Sequence, residues 1–203
     1  MKTSSLLQLK SLIQEKFPTA MSSHEPSATP DTDDLVPGRL LEIASPLSAG
    51  AGLLMQHFIA SAPGPCALVD AGDGFDPEGL PARLLAKLLW VRCLQLETAI
   101  KAADLLLRDG NLTTLIVDLR LQTARDLLRQ PSSVWHRLRL LAEKSRVATG
   151  IFTPARVVSC AARRWHLEPR LTLPQLEESR DLLQQRLRQG LLHHVHPALP
   201  LAS

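Results

Sequence analysis

The stretch Arg39-Leu-Leu-Glu-Ile-Ala-Ser-Pro-Leu-Ser-Ala-Gly-Ala-Gly52 decides the fold. Leu40, Leu41 and Ile43 make an apolar run of strand length, and a small glycine-containing turn separates it from the helical residues 53–60. The reading is a buried strand that feeds a turn and opens a helix. The same rhythm continues downstream. Cys66-Ala-Leu-Val-Asp70 is a second short apolar run ending in a carboxylate, 81–88 reads as helical and 89–93 as a strand. Residues 97–108 form an amphipathic helix stopped by Asp109-Gly110-Asn111, and 112–119 is the most strand-like segment of the chain. Pro131 splits two further helices. The second, roughly 134–146, has Ser132 or Ser133 as cap and Trp135, Leu138, Leu141 and Ala142 inward. Segments 147–153 and 157–167 read as strands, and a capping box at Thr172-Leu-Pro-Gln175 opens a helix that ends near Gly190. Strands alternating with helices of this length predict an α/β fold: a mostly parallel, doubly wound sheet between two helical layers.

Working outward from this core, assigned to 37–168, residues 4–17 place Leu6, Leu9, Ile13 and Phe17 on one helical face until Pro18 stops the helix. Residues 18–36 are rich in Pro, Ser, Thr and Asp and read as a linker. A lone amphipathic helix must bury its stripe, either on its own core or on a neighbouring molecule. Residues 169–203 make a last helix and a tail.

Of the 203 residues, 45% are hydrophobic, enough for a core of this size and too many for disorder throughout. Only 3% are aromatic and none is tyrosine, so stacking on bases has little material. The net charge of +3 hides an asymmetry: 9 Lys and Arg against 14 Asp and Glu over 1–119, and 14 against 6 over 120–203. A basic C-terminal portion suits a nucleic-acid backbone or an acidic protein, and equally a solvated arginine face. Cys66, Cys93 and Cys160 have neither metal nor disulfide spacing and read as core residues in a reducing, cytoplasmic compartment. No run has the ~18 apolar residues of a membrane span.

The chemistry of the opening stretch lies in what its turn lacks. A strand–turn–helix of this kind is the setting of a phosphate-binding P-loop, G-x-x-x-x-G-K-[ST]. The frame survives as Ser45, four residues, then Gly50. Ala51 stands where the phosphate lysine belongs, and Gly52 where the magnesium-binding hydroxyl belongs. Asp118, ending an apolar strand, has the position of a Walker B aspartate. Arg163, Arg164 and Arg170 with Trp165 suit either a phosphate contact or a charged edge strand. His193, His194 and His196 sit in a proline-bearing tail without paired carboxylates or cysteines, which favours a solvated tail over a metal site. Ser48 and Ser159 lack a histidine–acid partner pattern.

Leu68-Val-Asp-Ala-Gly-Asp-Gly-Phe-Asp-Pro77 resembles the RecA recombinase family, in which a strand ends in Asp-Ala-Glu and runs into a Leu-Asp-Pro turn. Gly38-Arg-Leu-Leu-Glu-Ile43 is similar to that family's strand into the P-loop, and Thr114-Leu-Ile-Val-Asp118 to its Walker B strand; together the resemblance covers about 37–155. It implies a three-layer RecA-like core. The family's water-activating glutamate falls on Gly72, and its phosphate-sensing glutamine falls near Pro154. With lysine, hydroxyl and glutamate all replaced, the resemblance implies a chain without ATPase activity and without a cofactor, weak anion or nucleotide binding at Gly50 apart.

Among such degenerate chains this one looks most like the ImuA group, accessories of a mutagenic translesion polymerase assembly. That resemblance implies protein–protein contact with RecA and a polymerase-like partner, and no membrane. Leu6, Leu9, Ile13, Phe17, Arg137, Arg139, Arg163 and Arg164 are the candidate partner or DNA contacts. Two alternatives stand beside it: a SulA-like division inhibitor that binds FtsZ, and a RecA-like protein with residual ATP or DNA binding.

Overall fold

A computed structural model describes residues 35–47, 49–167 and 177–192. The chain divides into two units, Met1–Thr32 and Asp33–Ser203, and every described residue belongs to the second. The expected N-terminal helix with Leu6, Leu9, Ile13 and Phe17, the capping box at Thr172, Ser48 and the tail histidines all lie outside the described residues.

Six strands form one sheet: β1 (Leu40–Ala44), β2 (Cys66–Ala71), β3 (Leu88–Cys93), β4 (Thr114–Asp118), β5 (Ala148–Thr153) and β6 (Arg163–His166). Their order across the sheet is β3-β2-β4-β5-β1-β6, and every pairing is parallel. Among the described residues the helices are α1 (Ala51–Ser61), α2 (Ala82–Leu85), α3 (Leu96–Asp109), α4 (Ala124–Leu128), α5 (Ser132–Ser145) and α6 (Arg180–Leu192). Strands β1, β2, β4 and β5 are buried at every residue. A parallel strand covered by helices on both faces reads as an unbroken apolar run, which is why these four are visible in the sequence.

Alternation along each strand splits the core into two apolar layers. Leu41, Ile43, Cys66, Leu68, Ile116 and Phe152 meet Leu54, Met55, Phe58 and Ile59 of α1 on one face. Leu40, Ala67, Val69, Leu115, Val117 and Ile151 meet α3 and α5 on the other, through Ala99, Ala103, Leu107, Trp135, Leu138 and Ala142. Cys66 and Cys93 are buried and Cys160 half-buried, all three with free thiols whose pKa burial pushes up, so they behave as small core residues. No described helix is long and apolar enough to cross a membrane.

Four expectations change: the helix expected over 81–88 is only Ala82–Leu85, and Leu88 already belongs to β3. The helix after Pro131 begins at Ser132 itself, with Pro131 in the N-cap place and no side-chain cap; it is α4 whose start carries a capping hydroxyl, the amide of Asp126 donating to Thr123 Oγ1 at 3.1 Å. The last strand is only Arg163–His166 instead of 157–167. The amides of Val157 and Val158 donate to the carboxylate of Glu42, at 2.7 and 2.9 Å, and so cannot join a ladder. The final helix starts at Arg180 and reaches Leu192, so Leu191 and Leu192 belong to it and not to a tail.

Candidate functional site

Because all six strands run the same way, the segments that follow β1, β2, β4 and β5 converge on the carboxyl edge of the sheet. Every degenerate-site residue expected from the sequence lies there: Ser45 and Gly50–Gly52 after β1, Gly72 after β2, and Asp118 at the end of β4, with β5 standing between β1 and β4.

Ser45 is buried; its amide donates to the carbonyl of Thr153 at 2.8 Å and its hydroxyl to that of Pro46 at 3.0 Å, so the residue pins the turn to β5. Gly50, at φ 74°, is the N-cap of α1, in the left-handed region where a β-carbon is disfavoured. It has no side-chain capping bond, and the first turn holds no acidic residue. Ala51 is buried, while a β-carbon on Gly52 would meet nothing within 4 Å.

The loop after β2 is built on Asp70. Its carboxylate accepts the amides of Gly74 and Phe75, both at 3.0 Å, and the indole N–H of Trp90 at 3.3 Å. Phe75 packs edge-on against Trp90 with ring centroids 5.6 Å apart. Asp73, at φ 60°, is paired with Arg92, whose guanidinium hydrogen-bonds its carboxylate and holds it below the usual carboxylate pKa. Gln56 of α1 ties the loop down through Nε2 to the carbonyl of Asp76 at 3.2 Å.

Asp118 is 2% exposed and already engaged. Arg120 Nε lies 2.9 Å from Oδ1 and Nη2 2.7 Å from Oδ2, a two-point fork, and the Arg120 amide adds a third bond at 3.1 Å. Both oxygens that a Walker B aspartate would turn toward a hydrated metal are directed instead to a guanidinium two residues away. Among the described residues no group of three or more His, Cys, Asp or Glu could hold a metal ion.

Gly72 has φ 126°, and a β-carbon there would stand 2.8 Å from Leu121 Cβ and 3.1 Å from its Cδ1. Leu121, from the loop after β4, thus lies over the position where the resemblance expects a glutamate. Gln122 of the same loop donates to the carbonyl of Ala71 at 3.0 Å, fixing the two loops together. Replacing Gly72 with glutamate is therefore expected to destabilise the protein by roughly 1–3 kcal/mol through backbone strain and the Leu121 contact, and to produce no ATP hydrolysis. A chemical denaturation midpoint at or above that of the unaltered chain would refute this account of the loop.

Sequence reasoning missed Glu42. It is 0% exposed in the middle of β1, where Oε1 accepts from Val157 N, Val158 N and Thr153 Oγ1 (3.3 Å) and Oε2 from Arg164 Nε (2.9 Å). The signal was present, since a lone carboxylate inside an apolar strand must have partners. Arg164 also donates to the carbonyls of Val158 and Ser159, so the pair anchors the whole segment after β5.

The other expected contact arginines belong to different elements. Arg137, on α5, is paired with Asp104 of α3 (Nε–Oδ1 2.6 Å, Nη2–Oδ2 2.8 Å), and Arg139 with Glu143 (3.2 Å). Arg163, on β6, lies 5.5 Å above the ring of Trp165. A half-open groove of about 330 Å³ lies between α3 and α5, lined by Ile100, Lys101, Asp104, Leu105, Val134 and Leu138. These helices cover the face of the sheet opposite α1.

No family model matches the chain. It is similar to the protein RecA of Rhodospirillum rubrum, 37% identical over 92 residues, which is 40% of this chain and 24% of that protein. It is also similar to the RecA proteins of Rickettsia massiliae and of Rickettsia bellii, each 36% identical over 92 residues and 25% of their length. The core is RecA-like. The chain spans about a quarter of the length of the curated relatives it matches. In this RecA-like core the carboxyl edge of the sheet keeps its strand–turn–helix frame, while Arg120 neutralises the buried aspartate and Leu121 covers the glycine beside it.

Proposed function

We propose that this RecA-like chain is an accessory protein of the bacterial DNA-damage response that acts through protein contacts and without nucleotide hydrolysis. Its role is ImuA-like, with RecA and a translesion polymerase-like protein as partners. The observation that carries the reading is the Asp118–Arg120 fork. Phosphoryl transfer needs a cation on the phosphates, a held magnesium and a positioned water. Here the aspartate available to hold magnesium is internally neutralised, and Ala51, Gly52 and Gly72 supply no side-chain group for the other tasks. The partial likeness to RecA supports the pathway, and the linked losses support the scaffold role.

The test uses the full chain. Calorimetry with magnesium and ATP is expected to show no binding at micromolar nucleotide, and capture experiments run side by side should retain RecA and the polymerase-like protein but not FtsZ. Deletion of residues 1–17 should weaken that capture at least ~10-fold if the predicted helix docks on a partner. Magnesium-dependent ATP affinity, retention of FtsZ instead of RecA, or DNA binding that falls steeply with salt would each replace this reading with a different one.

A further inference from the structure

The last helix crosses the site just described. Arg180, Leu183, Gln184 and Leu187 follow the spacing i, i+3, i+4, i+7 and so form one face of α6. Each of them touches the core. Arg180 Nη1 donates to the carbonyl of Glu78 at 2.7 Å, and a β-carbon on Gly79 (φ 85°) would collide with that guanidinium. Leu183 is buried. Gln184 Nε2 donates to the carbonyl of Leu53 at 3.3 Å. Leu187 rests on Gly50: a β-carbon there would stand 2.7 Å from its Cδ1 and 3.2 Å from its Cδ2. Asp181, Leu182, Gln185 and Arg186 are exposed, so over residues 180–187 α6 is attached by a single stripe.

We infer that α6 is a strap that closes the first turn of α1 and unseats as a unit while the sheet stays folded. Two glycines with positive φ, one from each loop, form the seat, and the glycine inherited from the P-loop frame now receives a leucine methyl. In its closed position the strap covers the start of α1 with hydrocarbon, so anything that reaches that first turn must wait for α6 to leave.

The argument for independent release rests on unequal burial. Strands β1, β2, β4 and β5 are enclosed on both faces, whereas over residues 180–187 α6 contributes Leu183, the partly buried Leu187 and two bonds to backbone carbonyls. Elements with few buried contacts open at the low end of a protein's range of local stabilities. The inference does not depend on which partner the protein binds.

Hydrogen exchange read by mass spectrometry tests it on the full chain. Within 49–54 the amides of Ala49, Leu53 and Leu54 bond to the carbonyls of Pro46 and Gly50, whereas those of Gly50, Ala51 and Gly52 lead the helix and Gly50 brings no side-chain cap, so exchange at these three reports on the cover above. In the unaltered chain α6 should exchange roughly 100-fold faster than β4. In Leu187→Asp, exchange across 49–54 should rise about 10-fold or more while β4 and β5 keep their protection. A common exchange rate for α6 and β4 would overturn the strap, because α6 would then belong to the cooperative core. So would unchanged protection of 49–54 in the variant. Should the variant not fold, the comparison within the unaltered chain decides the matter alone.

Discussion

Replacing Glu42 with alanine is expected to remove about 3–5 kcal/mol of stability, the largest loss for any single polar residue in the described core. The residue is fully buried, and its carboxylate accepts from two backbone amides, a threonine hydroxyl and one guanidinium nitrogen. Arg164 retains 31% of its side-chain exposure and can turn to water. The amides of Val157 and Val158 cannot, and each orphaned donor costs roughly 1–3 kcal/mol. Against a total of about 5–15 kcal/mol for a domain, that would leave the protein partly unfolded at 37 °C. Glu42→Gln keeps one acceptor oxygen and should recover a good part of the loss. Urea unfolding followed by tryptophan fluorescence reads both variants; a cost below ~1 kcal/mol for the alanine would mean that the segment after β5 is held by something else.

Arg120→Ala should be nearly as severe, about 3–5 kcal/mol, for a different reason. Asp118 and Arg120 have side-chain exposures of 2% and 10%, so truncating the arginine strands a carboxylate in a place water hardly reaches. The double variant Asp118→Asn/Arg120→Ala removes that charge and is expected to be more stable than Arg120→Ala alone by about 1–2 kcal/mol. If the double variant is no better than the single one, the arginine contributes packing instead of neutralisation. That result would weaken the proposed loss of metal binding, because Asp118 would then have no need of its guanidinium.

The fold was legible because its strongest signals are local. The runs at Leu40, Cys66 and Leu115 are apolar at nearly every position, as strands buried on both faces must be, and Gly110 marks the end of α3 in the left-handed conformation that the sequence suggests. Asp70 and Asp118 were visible as strand-ending carboxylates for the same reason. What they bind was not. Asp118 is satisfied by a neighbour only two residues away, yet nothing in Asp-Leu-Arg states that the side chain folds back. The limits of β6 were misjudged because Val157 and Val158 look like strand residues, while the carboxylate that takes their amides sits more than about 110 positions earlier. Leu187 over Gly50 is likewise a pairing of distant segments, and no periodicity within α6 points to the glycine that receives it.

The order of the sheet also sets a schedule for the growing chain. Of the six described strands β1 is the first to be made, but both its neighbours, β5 and β6, are the last two of them: Leu40 pairs with Thr149, and Leu41 with Arg163. At synthesis rates of about 5–20 residues per second, Leu40–Ala44 would spend several seconds before either neighbour is made. Meanwhile β2 and β3, adjacent in sequence and in space, can pair early. The pairings of β1 therefore have the longest sequence separation in the sheet, and contacts of that kind slow folding and leave the apolar segment at Leu40 exposed until its neighbours are made.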